Sequence, residues 1–152
     1  MIRIAVDGMG GDYAPQVVVE GSVQAANDFE HLEIILVGQA DILKRELNRH
    51  RVVGGKIIIQ EASEVVGMGE SPVAGLKKKK DSSIAVAIDL IKKKEAQAVV
   101  TAGNTGAAVA ASCIRLGNLP GIRRPGIAIS TPTLRGISIA MDVGANLNPS
   151  PE

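Results

Sequence analysis

The sequence predicts an α/β fold, a mainly parallel sheet with helices on both faces. Two observations predict it. Short runs rich in Val and Ile alternate with stretches of helical period, the pattern of βα units. Those runs are apolar through most of their length, as strands covered on both faces are. Composition adds a third: of 152 residues, 45% are hydrophobic and 22% charged, which suits one globular domain over residues 1–152. A chain this long buries roughly 68–70% of its unfolded surface and needs no disulfide or metal staple. No internal repeat, low-complexity tract or linker interrupts it.

Residues 3–7 (RIAVD) end in a glycine cluster and read as the first buried strand. Residues 8–14 form a loop. Pro15 suits a first helical position, where its missing N–H costs nothing. The helix runs to about Phe29, with Val18, Val19, Val23 and Ala26 at helical spacing. Gly21 inside it reads as a mark of close packing. Residues 33–38 (EIILVG) are the second strand, and residues 41–49 a polar surface helix with Ile42, Leu43 and Leu47 facing inward. Residues 56–60 (KIIIQ) are the third strand. Residues 61–71, containing Gly67 and Gly69, are long for a connection, hence either mobile or functional. Asp81 or Ser82 can cap the next helix, whose apolar stripe is Ile84, Ala87, Ile88 and Ile91. Lys92, Lys93 and Lys94 close it favourably against the helix dipole. Residues 96–102 are a strand. Residues 104–116 are a helix of small residues, able to sit very close to a sheet or another helix. A turn-rich link over 120–125 leads to two further strands, 126–130 and 136–142, which flank Thr131-Pro132-Thr133.

Composition excludes several functions. Tyr13 and Phe29 are the only aromatics, so the core is Val, Ile, Leu and Ala, and nucleic-acid binding by base stacking is not expected. One cysteine, Cys113, excludes a disulfide framework and cysteine-based zinc sites and fits a reducing compartment. Cys113 reads as a core residue, and His31 and His50 as surface groups rather than a metal centre. Arg3 and Asp7 come too early for a signal-peptide apolar region. The longest uncharged run, 96–114, falls short of the ~20 apolar residues of a membrane span. The expectation is a cytoplasmic protein. Charge is uneven: residues 1–76 carry a net −5, residues 77–135 a net +8 and residues 136–152 a net −2. The middle stretch is either a solvated surface or a face for an anionic partner.

Three glycine-bearing loops follow predicted strands: Asp7-Gly8-Met9-Gly10-Gly11-Asp12, Gly103-Asn104-Thr105-Gly106-Ala107 and Asp142-Val143-Gly144-Ala145-Asn146. Loops after parallel strands lie on the carboxyl edge of the sheet, where open α/β folds bind ligands. Uncovered backbone N–H groups beside a helix N-terminus make an anion site, most often for phosphate. Gly10, Gly11, Gly103, Gly106, Gly144 and Ala145 are the candidate phosphate-binding positions, with Asn104 and Thr105 adding side-chain donors. Asp7, Asp12 and Asp142 either hold the loops in shape by accepting their N–H groups or hold a divalent ion; the first role is preferred, since the acidic spacing of a dedicated cation site is missing. The dinucleotide fingerprint, the Walker lysine motif and the Gly-x-Ser-x-Gly elbow are all absent.

The segments Asp7-Gly8-Met9-Gly10-Gly11-Asp12-Tyr13-Ala14-Pro15, Lys78-Lys79-Lys80-Asp81-Ser82-Ser83, Ala102-Gly103-Asn104-Thr105-Gly106-Ala107 and Asp142-Val143-Gly144-Ala145-Asn146 stand in one order and spacing. In this the sequence resembles the bacterial phosphate acyltransferases of phospholipid synthesis, over essentially all its residues. That family's chains run well past position 152, so the sequence looks like their N-terminal part. It departs from the family in having Gly8 where Ala is frequent and Tyr13 where His is frequent. The resemblance implies a fold like the isocitrate and isopropylmalate dehydrogenases, incomplete at the C-terminus. It also implies a homodimer, peripheral association with anionic membrane, and no cofactor. The implied reaction is acyl-[acyl carrier protein] plus inorganic phosphate giving acyl phosphate plus free carrier.

That chemistry suits the residues. Phosphate itself attacks the thioester, so no enzyme nucleophile is needed. A thiolate of pKa roughly 8.5 leaves without strong acid help. The protein positions the anion and stabilises the oxyanion, for which Asn104, Thr105 and Asn146 are candidates. Lys80 is either an electrostatic contact or one of four solvated lysines, and Asp81 joins the loop-organising carboxylates. The basic side chains of residues 77–135, Arg115, Arg123, Arg124 and Arg135 among them, suit an acidic carrier protein or anionic lipid. The alternatives are a nicotinamide-dependent hydroxy-acid dehydrogenase on a related fold, or an inactive half that binds phosphate or a partner.

Overall fold

Four parallel strands build the sheet: β1 (Ile2–Asp7), β2 (Leu32–Gly38), β3 (Lys56–Glu61) and β4 (Ala98–Val100). Their spatial order is β3-β2-β1-β4. The computed structural model describes residues 1–122 and 125–141. It divides into two compact units, Met1–Leu116 and Gly117–Glu152, where the sequence reads as one domain.

The first unit follows from the alternation of side chains along its strands. Val6, Ile34 and Leu36 face α1 (Gln16–Asp28) and α2 (Ala40–Leu47), meeting Val19, Val23, Ala26 and Leu43. Ala5, Ile35 and Val37 face the other way, onto Ala87 and Leu90 of α4 (Ser83–Lys92). The opposite side of α4, with Ile84, Ala85 and Ile88, packs on Ala107 and Ala111 of α5 (Thr105–Arg115) and on Leu76 of α3 (Pro72–Lys78). Covered on both sides, α4 is apolar well beyond one stripe. The small residues of α5 are its contact surface with α4. Glu33 of β2 carries a carboxylate into the sheet and is 2% exposed. Its register neighbours are Arg3 and Lys56, whose cations lie 2.8 and 3.4 Å from its carboxylate.

Several expectations need correction. The last two strands do not extend the parallel sheet. β5 (Ala128–Thr133) and β6 (Gly136–Met141) pair with each other, antiparallel, from Ala128↔Met141 to Thr133↔Gly136. Two residues separate them, and a parallel pair needs a crossover of a dozen or more. Thr131-Pro132-Thr133 continues β5 rather than connecting strands. α3 is a helix just past the 61–71 connection, over residues to which the sequence assigns no element; Pro72 opens it and Gly75 interrupts its pattern. β4 covers only Ala98–Val100 of the expected 96–102, and Ala96 N–H still bonds the carbonyl of Leu90 in α4. Ser82 occupies the N-cap of α4, yet neither its side chain nor that of Asp81 caps the helix. Ile42 is exposed, and Glu46 takes the inward place beside Leu43. His50 is half-buried, with Nε2 3.7 Å from Glu46 Oε1. Cys113 is also only half-buried. Gly21 marks no close packing, since a Cβ built there meets nothing within 4 Å.

Candidate functional site

The strand order sets the place. From β1 the chain moves to β2 and β3 on one side, then returns to β4 on the other. Loops leaving two neighbouring strands in opposite directions open a crevice at the carboxyl edge, where α/β sheets bind ligands. The two loops there are those of Gly10 and Gly103.

They are bonded to each other. Asp7 ends β1 and is 3% exposed. Its Oδ2 accepts the Thr101 hydroxyl at 2.8 Å and its Oδ1 the Met9 N–H at 3.3 Å. Thr101 Oγ1 in turn accepts the Gly103 N–H at 3.0 Å. One buried carboxylate thus shapes both loops. The glycines are there because the loops nearly touch. A Cβ on Gly10 would lie 2.5 Å from Asp7 Oδ2 and 3.0 Å from Gly103 N; one on Gly103 would lie 3.1 Å from Gly10 Cα. Gly11 has φ +111°, a conformation that favours glycine.

The Gly103 loop runs into α5. Asn104 is its N-cap, its Oδ1 accepting the Ala107 N–H at 3.0 Å, while its backbone oxygen accepts the Ala108 N–H. A helix leaves its first N–H groups without intrahelical partners, so those of Thr105 and Gly106 remain at the helix end with its partial positive charge. Asn104 Nδ2 points elsewhere, to the backbone oxygens of Met68 and Glu70 at 3.0 and 3.1 Å and of Gly67 at 3.4 Å. Asn104 therefore latches the 61–71 connection onto α5, and both ends of its side chain are engaged.

That connection is held throughout. Glu70 Oε1 accepts the Gly67 N–H at 2.9 Å and a hydrogen bond from Lys79 Nζ, which also donates to the Val65 carbonyl at 2.7 Å. The Lys79 hydrogen bond, then that of Gly67, holds the Glu70 carboxyl below the usual carboxylate range. Asp81 Oδ2 accepts the Ser63 hydroxyl at 2.6 Å and its N–H at 2.8 Å, which lowers the Asp81 pKa as well.

Among the sequence-predicted residues, Asp7, Gly10, Gly11, Gly103, Asn104 and Thr105 come together. Asp12 lies exposed in the first loop. Gly106 lies under Pro72, whose Cγ would be 2.6 Å from an added Cβ. Lys80 is exposed and borders a separate cleft with Leu76, Ala111 and Arg115; its carbonyl accepts a bond from Arg115. Asp142, Gly144, Ala145 and Asn146, with Arg123 and Arg124, lie outside the described residues. The sequence reading missed Thr101, Glu70 and Lys79. Thr101 had a signal, a hydroxyl one residue past a strand and two before a loop glycine. Among the described residues, no group of three or more His, Cys, Asp or Glu side chains is arranged to hold a metal ion. No described helix is long and apolar enough to cross a membrane.

A family model described as "Fatty acid synthesis protein" matches residues 2–152. The chain belongs to this family. Proteins called "Phosphate acyltransferase" are similar to it: that of Geobacter sulfurreducens is 52% identical over 150 residues, 99% of this chain and 43% of the relative. Those of Desulfitobacterium hafniense strain Y51 and Halothermothrix orenii are 48% and 44% identical, over 100% and 99% of this chain and 45% of each relative. The chain thus spans less than half the length of these family members. Their names do not favour the dehydrogenase alternative.

Proposed function

We propose that the chain takes part in acyl transfer from an acyl carrier protein thioester to inorganic phosphate, with the two glycine loops gripping the phosphate. The observation that carries this is the direct bonding of the Gly10 and Gly103 loops through Asp7 and Thr101 at the mouth of the crevice. A phosphate oxygen attacks the thioester carbonyl carbon. The carbon–sulfur bond of the tetrahedral intermediate then breaks, and the proton of monohydrogen phosphate ends on the carrier thiol. The products are an acyl phosphate and free carrier. The N–H groups of Thr105 and Gly106, with the Thr105 hydroxyl, supply donors to phosphate or oxyanion. Asp7 and Asn104 position those donors and make no bond to the reacting atoms. In this reading the sheet belongs to a fold like that of the isocitrate and isopropylmalate dehydrogenases. The working form is a cytoplasmic homodimer at the inner face of the membrane, feeding phospholipid synthesis.

The test supplies acyl carrier thioester and phosphate to the full chain. The reading expects free thiol and hydroxylamine-trapped acyl phosphate in equal amounts. Thiol without acyl phosphate, or neither product, overturns it.

A further inference from the structure

An apolar groove of about 310 Å³ lies between α1 and the β1–β4 side of the sheet. Ile4 and Val6 line its floor together with Val100, the register partner of Val6. Val18 and Gly21 line its α1 wall. Along β1 and β4 it ends at Asp7, Thr101 and Ala102, where the glycine loops meet. The polar groups at this end are already bonded to one another. From Ile4 to Asp7 the groove follows about 10 Å of strand, and its volume falls in the range of small-molecule pockets.

Gly21 is the unexplained residue. Glycine weakens a helix interior, and here it neither turns the chain nor admits a close neighbour, since an added Cβ meets nothing within 4 Å. What the missing side chain leaves is depth in the groove. α1 buries Val19, Val23 and Ala26 in the core, while Val18 and Ala25, partly buried against the same cluster, line this space together with Gly21.

We propose that the groove seats the acyl chain of the thioester, with the carbonyl at the Asp7–Thr101 end beside the phosphate loops and the methyl end toward Ile4. The inference rests on the acyl-transfer reading and adds to it a place for the chain. The groove's continuity with the candidate phosphate site selects this occupant over a second protein surface.

Gly21→Leu in the full chain puts a side chain into the groove, and Gly21→Ala a smaller one. Acyl phosphate formation is measured with dodecanoyl and butanoyl pantetheine thioesters. The ratio of kcat/KM for the longer to the shorter chain is expected to fall about tenfold in Gly21→Leu and less in Gly21→Ala. An unchanged ratio overturns the proposal. A second readout needs no turnover: dodecanoate titrated into the full chain shifts the methyl NMR signals of Val18 and Val100, and Gly21→Leu abolishes the shift. Shifts elsewhere only, or none because another stretch of protein already covers the groove, also overturn it. Saturable shifts at Val18 and Val100 in a protein that makes no acyl phosphate support the groove and reject the acyl-transfer reading.

Discussion

The Thr101 hydroxyl is the narrowest link in the site, because it donates to Asp7 Oδ2 while accepting the N–H of Gly103. Thr101→Val keeps the shape and removes both bonds, leaving a buried carboxylate oxygen short of a donor. Such losses cost about 1–3 kcal/mol. The expected result is a lower urea midpoint and a higher phosphate KM, with Thr101→Ser restoring both. Glu70 makes a pH prediction at the same scale. Its folded pKa is depressed by Lys79 and Gly67, so its contribution to stability is fully present above the ordinary Glu pKa, about 4.3. That contribution is lost as pH falls through the lowered folded value. Urea midpoints measured from neutral pH downward should therefore drop less steeply in Glu70→Gln than in the parent chain over that acid range. Identical acid limbs would show that the Lys79–Glu70 pair adds nothing to stability.

Asn104 acts at the scale of the element, joining α5 to the 61–71 connection through two separable functions. Asn104→Ala removes the cap, at about 1 kcal/mol, and the latch. Asn104→Asp keeps an acceptor for the Ala107 N–H but has no donor for the backbone oxygens of Gly67, Met68 and Glu70. Amide exchange at residues 67–70 should quicken in both variants, while stability falls mainly in the alanine one. Asn104→Asp also sets a charge at the helix end proposed to meet phosphate, so its phosphate KM should rise further than that of Asn104→Ala. Equal exchange in all three proteins would remove the latch. The two functions differ in how they show in sequence. A cap is local, and Asn before a helical run announces it. A latch joins residues 34 to 37 positions apart and leaves no local mark. The same contrast separates the elements. β1, β2, β3 and α4 are legible because their patterns follow from burial on known faces. α3 is hidden because its interior Gly75 suits a close approach to Val66 rather than helix propensity. β5 and β6 are legible as strands but not as partners, since pattern alone does not say which edge a strand joins.

At the scale of the whole molecule, the concentration of positive charge in residues 77–135 has to be discounted for charges already used. Lys79 is spent on Glu70 and the Val65 carbonyl, and Arg115 on Asp89 and the Lys80 carbonyl. Lys77 and Lys78 in the last turn of α3, Lys80 just past it, and Lys92, Lys93 and Lys94 at the end of α4 stand exposed. The other layer of the first unit carries Lys44 and Arg45 on α2, across the sheet from α4. If the proposed acyl transfer holds, its acidic carrier protein should therefore feel the α3–α4 side and not α2. Exposed ion pairs contribute about 0.2–1 kcal/mol each, so reversing Lys77 and Lys78 to Glu should raise the carrier Kd about fivefold at low ionic strength. The salt dependence should flatten in parallel, because steering by surface charge is screened within about 10 Å at 0.1 M. Reversing Lys44 and Arg45 should leave Kd near its original value. Titration of each variant with acyl carrier protein across ionic strength decides the matter, and equal losses from the two reversals would make the effect one of net charge rather than of a docking side.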